Sequence, residues 1–103
     1  MTRSVTVYGF GSAFVDAKAA RDVDLLIVHQ RTDLASCQLA IACKRRLAES
    51  IERAHITMLS EAEEAHFGFL KTARAEGLGA IREAYFDVAL TALDAVLHKL
   101  SAR

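Results

Sequence analysis

Apolar and polar positions alternate at the start of this chain, and helical spacing follows later. Residues 4–9 alternate small or polar side chains with β-branched and aromatic ones, which predicts a strand. Residues 22–29 open with two aspartates and continue as an unbroken apolar run, a pattern typical of a central strand covered on both faces. Residues 55–59 predict a third short strand.

Three helices are predicted between and after these strands. Apolar side chains recur every three or four residues over 33–54, which predicts a long amphipathic helix. Ser60 and Glu63 have the spacing of a capping box, so a second helix is expected to begin there and to end at Gly77. A last helix is predicted over about 79–101. The order of elements predicts a single α/β (α+β) domain over 1–103, with a small three-stranded mixed sheet and helices packed against it.

Composition narrows the class of protein without naming an activity. Hydrophobic residues make up 52% of the 103 positions, which excludes a disordered chain and is enough for one buried core. No apolar run has the length of a membrane span, and the first residues do not lead into a signal-peptide core. Two cysteines are too few for a disulfide framework. We therefore expect a cytoplasmic protein without a membrane segment.

The charge balance removes one class of partner. The chain has thirteen basic and thirteen acidic side chains, so the formal net charge is zero. A neutral chain has no overall field that would attract nucleic acid or an anionic lipid surface. Nucleic acid is therefore not the expected partner.

Two carboxylates at alternate positions of one strand are the strongest chemical signal. Side chains at i and i+2 of a strand point to the same face, so Asp22 and Asp24 are expected to be neighbours. Carboxylate ligands suit Mg²⁺ or Mn²⁺, which complete their coordination with water and phosphate oxygens. The alternative is that both aspartates are simply solvated at the edge of a strand.

The turn before these aspartates adds a phosphate-binding signal. Gly11 allows close approach of the backbone to a phosphate, and Ser12 adds a hydroxyl donor. Gly11-Ser12, nine intervening residues, and Asp22-Val23-Asp24 together resemble the hallmark of the DNA polymerase β-like nucleotidyltransferase superfamily. Residues 8–12, 24–28 and 56–64 are similar to the same group, in particular to its small bacterial and archaeal members.

The resemblance implies a nucleotidyltransferase-like core and a division of roles among these residues. Gly11 and Ser12 would contact the terminal phosphates of a nucleoside triphosphate, most simply ATP. Asp22 and Asp24 would bind Mg²⁺ or Mn²⁺. The reaction implied is transfer of a nucleoside monophosphate to an acceptor hydroxyl.

The sequence departs from the family pattern at two positions. The family has a third acid on a later strand, and His55 stands at the matching position here. An imidazole is a poor ligand for Mg²⁺, but it is able to act as a general base; the alternative is a histidine at a strand end without a catalytic role. Arg21 precedes the first acid, where it is expected to pair with phosphate or with Asp22.

The last predicted helix carries two apolar stripes, which is more than one face against a sheet requires. The first stripe consists of Ile81, Tyr85, Val88, Ala92 and Val96, and the second of Phe86, Leu90, Leu93 and Leu97. A homo-oligomer or a helical partner is therefore expected. The resemblance adds a partner class, because minimal nucleotidyltransferases are often paired as antitoxins with helical HEPN-domain proteins.

Two functions follow from these features. The first is a Mg²⁺-dependent minimal nucleotidyltransferase in which Asp22, Asp24 and His55 are catalytic and Gly11, Ser12 and Arg21 bind the nucleotide. Its acceptor is expected to be a hydroxyl, for example one on a partner toxin. The second is a catalytically weakened relative that regulates a partner through a dimeric or heteromeric interface.

Overall fold

The computed structural model describes residues 3–11, 14, 22–30 and 34–101. Four strands form one sheet: β1 (Ser4–Phe10), β2 (Val23–His29), β3 (Ala54–Ser60) and β4 (Glu76–Arg82). The helices are α1 (Leu34–Ser50), α2 (Glu61–Phe67), α3 (Phe69–Thr72) and α4 (Phe86–Ser101). One turn of 3₁₀ helix, Glu83–Tyr85, leads into α4.

The sheet is mixed, and its strand order is β3-β2-β1-β4. Strand β1 pairs antiparallel with both β2 and β4, whereas β2 and β3 are parallel and are joined through α1. The predicted α+β class and mixed sheet are confirmed, but the predicted number of three strands is wrong. Strand β4 contains Gly77 and Gly79 and lacks strict alternation, so its sequence did not indicate a strand.

The second predicted helix is broken into two short ones. Its start is correct: Ser60 Oγ accepts from the Glu63 N–H, and the Glu63 carboxylate accepts from the Ser60 N–H. Its end is not at Gly77, because Gly68 adopts a left-handed conformation (φ 62°) and ends α2 after seven residues. The last helix likewise begins at Phe86 rather than near residue 79, because β4 and the 3₁₀ turn occupy residues 76–85.

One hydrophobic core lies between the sheet and the pair α1 and α4. Helix α1 packs on β1, β2 and β3, while α4 packs on β4 and against α1. Alternate residues of β1 and β2 point into this core, which explains why both strands are buried on that face. The buried core consists of Val5, Val7, Val23, Leu25, Ile27, Leu39, Ala40, Cys43, Leu47, Ile51, Ile81, Leu90, Leu93 and Leu97.

Arg46 joins α1 to α4 at the surface of this core. Its guanidinium lies 3.5 Å from the Asp87 carboxylate and 3.7 Å from that of Asp94, and it also donates to the Thr91 hydroxyl at 3.4 Å. These three α4 positions lie on one side of the helix, because they are spaced by four and three residues. Arg46 therefore fixes the side of α4 that faces α1.

The opposite face of the sheet is covered by α2 and α3. Helix α2 packs on β2 and β3, and Leu26 on that face is fully buried. The Phe69 ring of α3 contacts the Phe10 ring edge to face, with centroids 5.1 Å apart. In the described part of the chain, every helix is too short or too polar to cross a membrane.

Candidate functional site

The pairing of three strands brings the sequence-predicted residues to one end of the sheet. Phe10 is opposite Asp24 in the antiparallel pair, and His55 is the parallel neighbour of Asp24 on the other side. Residues that are partners across a sheet share one face, so these three side chains form a row across β1, β2 and β3. The position predicted for the third acid is therefore directly beside Asp24, and a histidine occupies it.

Asp22 completes this group just before the start of β2. Its Oδ1 atom lies 3.5 Å from Nε2 of His55, and both side chains are more than half exposed. The start of β2 is fixed to the turn after α1, because the Val23 N–H donates to the Arg53 carbonyl at 3.0 Å. Arg53 has φ 57°, so this turn is tight and holds the beginnings of β2 and β3 together. The imidazole of His55 thus lies beside the Asp22 carboxylate, and both groups are open to solvent.

Gly11 brings the backbone after β1 against the same carboxylates. It has φ 82°, and a Cβ atom placed on it would lie 2.5 Å from Asp24 Oδ2. Only a glycine allows this approach without moving the Asp24 side chain. The site therefore requires glycine at this position both for the backbone conformation and for space.

A second glycine supports the Gly11 turn from the core side, and sequence reasoning did not single it out. A Cβ atom on Gly9 would overlap the Phe14 ring, which packs against the hydrophobic core. The Phe14 N–H donates to the Gly11 carbonyl at 3.1 Å. A glycine inside a strand indicates a close approach of another group, so the position of Gly9 in β1 was the sequence feature that indicated this contact. Gly9 thus makes room for Phe14, whose N–H is bonded to the Gly11 carbonyl.

Two positions of the predicted site, Ser12 and Arg21, lie outside the described residues. The structure therefore brings Gly11, Asp22, Asp24 and His55 together.

The donor set fits a cation that arrives with a nucleotide better than a resident metal ion. Among the described residues, no three His, Cys, Asp or Glu side chains are arranged to hold a metal. Two carboxylates at the start of β2 supply only two protein ligands. Mg²⁺ is usually bound by one or two carboxylates together with water and substrate phosphate, so two are enough for that mode. Asp22 and Asp24 would hold such an ion.

An aromatic pair borders the carboxylates and was not predicted as part of the site. Phe10 is the direct neighbour of Asp24, and the Phe69 ring lies against it. Both rings are half-buried. This contact packs α3 against the end of β1.

Two open grooves lie away from this cluster. One, of about 340 Å³, lies between α1 and the start of β1 and is bordered by Arg3 and Glu83. The other, of about 270 Å³, lies between β4 and α4. The carboxylates stand instead at the exposed end of the sheet, where a ligand would be open to solvent on one side.

The last helix buries only one of its two predicted stripes. Leu90, Leu93 and Leu97 are buried in the core, while Tyr85, Val88 and Val96 are 63%, 73% and 53% exposed. Ile81 does not belong to the exposed stripe, because it lies in β4 and is buried.

Comparisons with known proteins identify no relative of this chain. No protein-family model matches the sequence, and neither a curated protein nor a solved structure matches it significantly. The resemblance to nucleotidyltransferases therefore stays a prediction from the motif residues of the sequence.

Proposed function

We propose that this chain is a minimal nucleotidyltransferase that binds a nucleoside triphosphate and its divalent cation at the Gly11, Asp22, Asp24 and His55 cluster. The observation that carries the proposal is the register of the sheet, which makes Asp24 and His55 direct neighbours while Gly11 approaches Asp24 from β1. Residues from three separate strands thus converge at one end of the sheet. The proposal gives each of them a task.

Each residue has a role that its position permits. Asp22 and Asp24 hold the cation that accompanies the triphosphate, and Mg²⁺ or Mn²⁺ supplies charge neutralisation there. The backbone at Gly11 is close enough to Asp24 to contact a phosphate held by the same cation. Ser12 and Arg21 are proposed as further phosphate contacts.

His55 is proposed as the general base. The acceptor hydroxyl forms a bond to the α-phosphorus while the bond from that phosphorus to the pyrophosphate oxygen breaks, and pyrophosphate leaves. The hydroxyl proton passes to the imidazole of His55, which lies 3.5 Å from the Asp22 carboxylate. A histidine paired with a carboxylate thus takes the place of the third acid.

A second candidate function is nucleotide-independent binding of a partner. It is favoured by the contact between His55 and Asp22, which occupies the carboxylate that a cation would need, and by the exposed stripe on α4. In that case the cluster is a remnant and the chain is a regulatory module. The partner expected from the family resemblance is a helical HEPN-type protein, and the same protein is the proposed acceptor in the first candidate function.

Calorimetry on the full chain separates the two functions. We expect a nonhydrolysable ATP analogue to bind in the presence of Mn²⁺, and Mn²⁺ alone to bind at least about tenfold more weakly, because two carboxylates are an incomplete ligand set. Asp24→Asn should abolish the nucleotide signal, while Glu52→Gln, an acid-to-amide change on the exposed turn after α1, should leave it unchanged. Absence of binding by the wild type, or equal binding by Asp24→Asn, would refute the nucleotidyltransferase proposal.

His55→Asp tests the role of the histidine in the same assay. It restores a third carboxylate, so nucleotide binding with Mg²⁺ should become as strong as binding with Mn²⁺ if position 55 lies within reach of the cation. If His55 is only a general base, the variant should bind the nucleotide as the wild type does with either ion.

A further inference from the structure

In the described part of the chain, no further strand or helix covers the side that strand β4 and helix α4 form together. Strand β4 is an edge of the sheet, paired on one side with β1. An edge strand presents unpaired backbone N–H and C=O groups to any chain that approaches it. The residues along it are small, since Gly77, Gly79 and Ala80 account for three of its seven positions. A second backbone is therefore able to come close to this edge.

The exposed stripe of α4 faces the same side. Ala92 and Val96 line the 270 Å³ groove together with β4 residues Leu78 and Ala80. The opposite side of α4 is already occupied by α1, through Arg46. The open edge of β4 and the exposed stripe of α4 thus form one continuous surface, which we call the β4–α4 face.

The stripe is symmetric about one small residue. Val88 and Val96 are each four positions from Ala92, and Tyr85 and Lys99 are each seven positions from it. Positions four and seven apart lie on the same side of a helix. All five side chains are exposed. The sequence of this stripe therefore fits an antiparallel copy of itself.

We propose that the β4–α4 face binds a second copy of this chain across a two-fold axis that passes beside Ala92. The two α4 helices lie antiparallel, so that the small Ala92 side chains meet at the axis and each Val88 packs against Val96 of the other copy. The two β4 edges face each other below them. Such an isologous contact uses the same surface on both copies and closes at the dimer.

Charge at the ends of the helix favours the same arrangement. Helix α4 has basic residues in its last turn, His98 and Lys99, while the Asp87 carboxylate of its first turn is paired with Arg46 on the α1 side. An antiparallel pair sets the two helix dipoles head to tail. The same register puts the Lys99 ammonium group over the Tyr85 ring of the other copy, a favourable cation–π arrangement.

The proposed dimer is independent of nucleotide chemistry. The carboxylate cluster lies at the ends of β1, β2 and β3, and β4 is separated from β2 and β3 by β1. A copy bound at the β4–α4 face would leave both clusters open. Failure of nucleotide binding therefore does not bear on the dimer, and the reverse also holds.

Light scattering and sedimentation of the full chain test the proposal. At tens of micromolar we expect twice the 11.2 kDa monomer mass. Ala92→Arg places two cations at the axis and should raise the dissociation constant by about 30-fold or more, the effect of a central interface residue. Ala48→Arg, the same change at an exposed position of α1, should leave the dimer intact. A monomeric wild type, or a dimer that survives Ala92→Arg, would overturn the proposal.

A cysteine at the axis tests the symmetry directly. In a Cys37→Ser background, Ala92→Cys should form a disulfide-linked dimer on mild oxidation, because a residue beside a two-fold axis meets its own copy at the short Cβ separation that a disulfide needs. Ala48→Cys is the control and should stay monomeric on a denaturing gel. If Ala92→Cys links no faster than Ala48→Cys, the two-fold axis is not at Ala92 and the proposed dimer is wrong.

Discussion

Two glycines shape the candidate site, and their reasons differ. Gly11 has a left-handed backbone and approaches the Asp24 carboxylate. Gly9 makes room for the Phe14 ring on the core side of β1. A side chain at Gly9 would disturb packing, whereas one at Gly11 would turn the Asp24 carboxylate away.

Gly11→Ala should distinguish an effect on the candidate site from a general loss of stability. Gly68→Ala is its control, because Gly68 also has a positive φ of 62° but has no atom within 4 Å of an added Cβ. Both variants should lose about 1 to 2 kcal/mol of unfolding free energy through backbone strain. On the proposed function, only Gly11→Ala should also lose nucleotide affinity in calorimetry. Equal nucleotide affinity in the two variants would contradict the role of Gly11.

Cys43 gives a prediction about alkaline stability. Burial raises the pKa of its thiol from 9.0 to about 11, so the folded chain holds this proton more tightly than the unfolded chain does. The resulting stabilisation is complete below pH 9 and is lost as the pH rises toward 11, by about 2 to 3 kcal/mol. Urea unfolding across this range should show the loss in the wild type.

Cys43→Ala is the matched variant for this measurement. It removes the thiol at the cost of a small cavity, so it should be less stable at neutral pH but should lack the additional alkaline loss. Identical slopes of unfolding free energy against pH for the two proteins would rule out the Cys43 contribution.

At the scale of elements, the turn from β3 into α2 is defined by local hydrogen bonds. Ser60 is the last residue of β3, five positions after His55. The Ser60 hydroxyl and the Ser60 N–H both form hydrogen bonds with Glu63. These bonds hold the pKa of the Glu63 carboxyl below its ordinary value. The capping box thus fixes where the strand stops and where the helix covering the second face begins.

Ser60→Ala should cost about 1 kcal/mol of unfolding free energy, since it removes the side-chain acceptor of the cap. Because the folded-state pKa of Glu63 is lowered, its contribution is present above the ordinary carboxyl pKa and is lost as the pH falls through the lowered value. Glu63→Gln keeps an acceptor but does not titrate, so it should lack this acid dependence. Circular dichroism during denaturant titrations at several acidic pH values checks both effects.

At the scale of the whole molecule, α4 is held on one side and open on the other. Arg46 contacts Asp87 and Asp94 of α4 on the side of α1. The Asp94 side chain is only 15% exposed, and its Oδ1 atom is buried without a partner among the described residues. Loss of Arg46 would therefore leave a poorly solvated carboxylate without its nearest cation.

Arg46→Met should lower the unfolding free energy by about 1 to 2 kcal/mol, more than an exposed ion pair is worth, because Asp94 loses its partner. Arg45→Met, at the exposed neighbouring position, should change it by less than about 0.5 kcal/mol. Thermal and chemical denaturation of the two variants gives the comparison. Equal effects would mean that the contacts of Arg46 contribute nothing measurable.

The sequence by itself determined the elements whose signals are local. Strands β1, β2 and β3 follow from alternation and apolar runs, and the start of α2 follows from Ser60 and Glu63, because neighbouring residues supply these interactions. The chemistry-bearing residues were also readable, since glycine before paired aspartates is a feature of the sequence alone. What these residues do stays a proposal.

Only the tertiary structure decided which residues meet. Strand β4 forms because β1 offers it an edge to pair with, and nothing in its own seven residues predicted that. The nearness of His55 to Asp22 and Asp24 depends on the parallel register of β2 and β3, in which Asp24 pairs with His55, 31 positions further along the chain. Such contacts arise from pairing between distant segments, and a local pattern of residues carries no information about register.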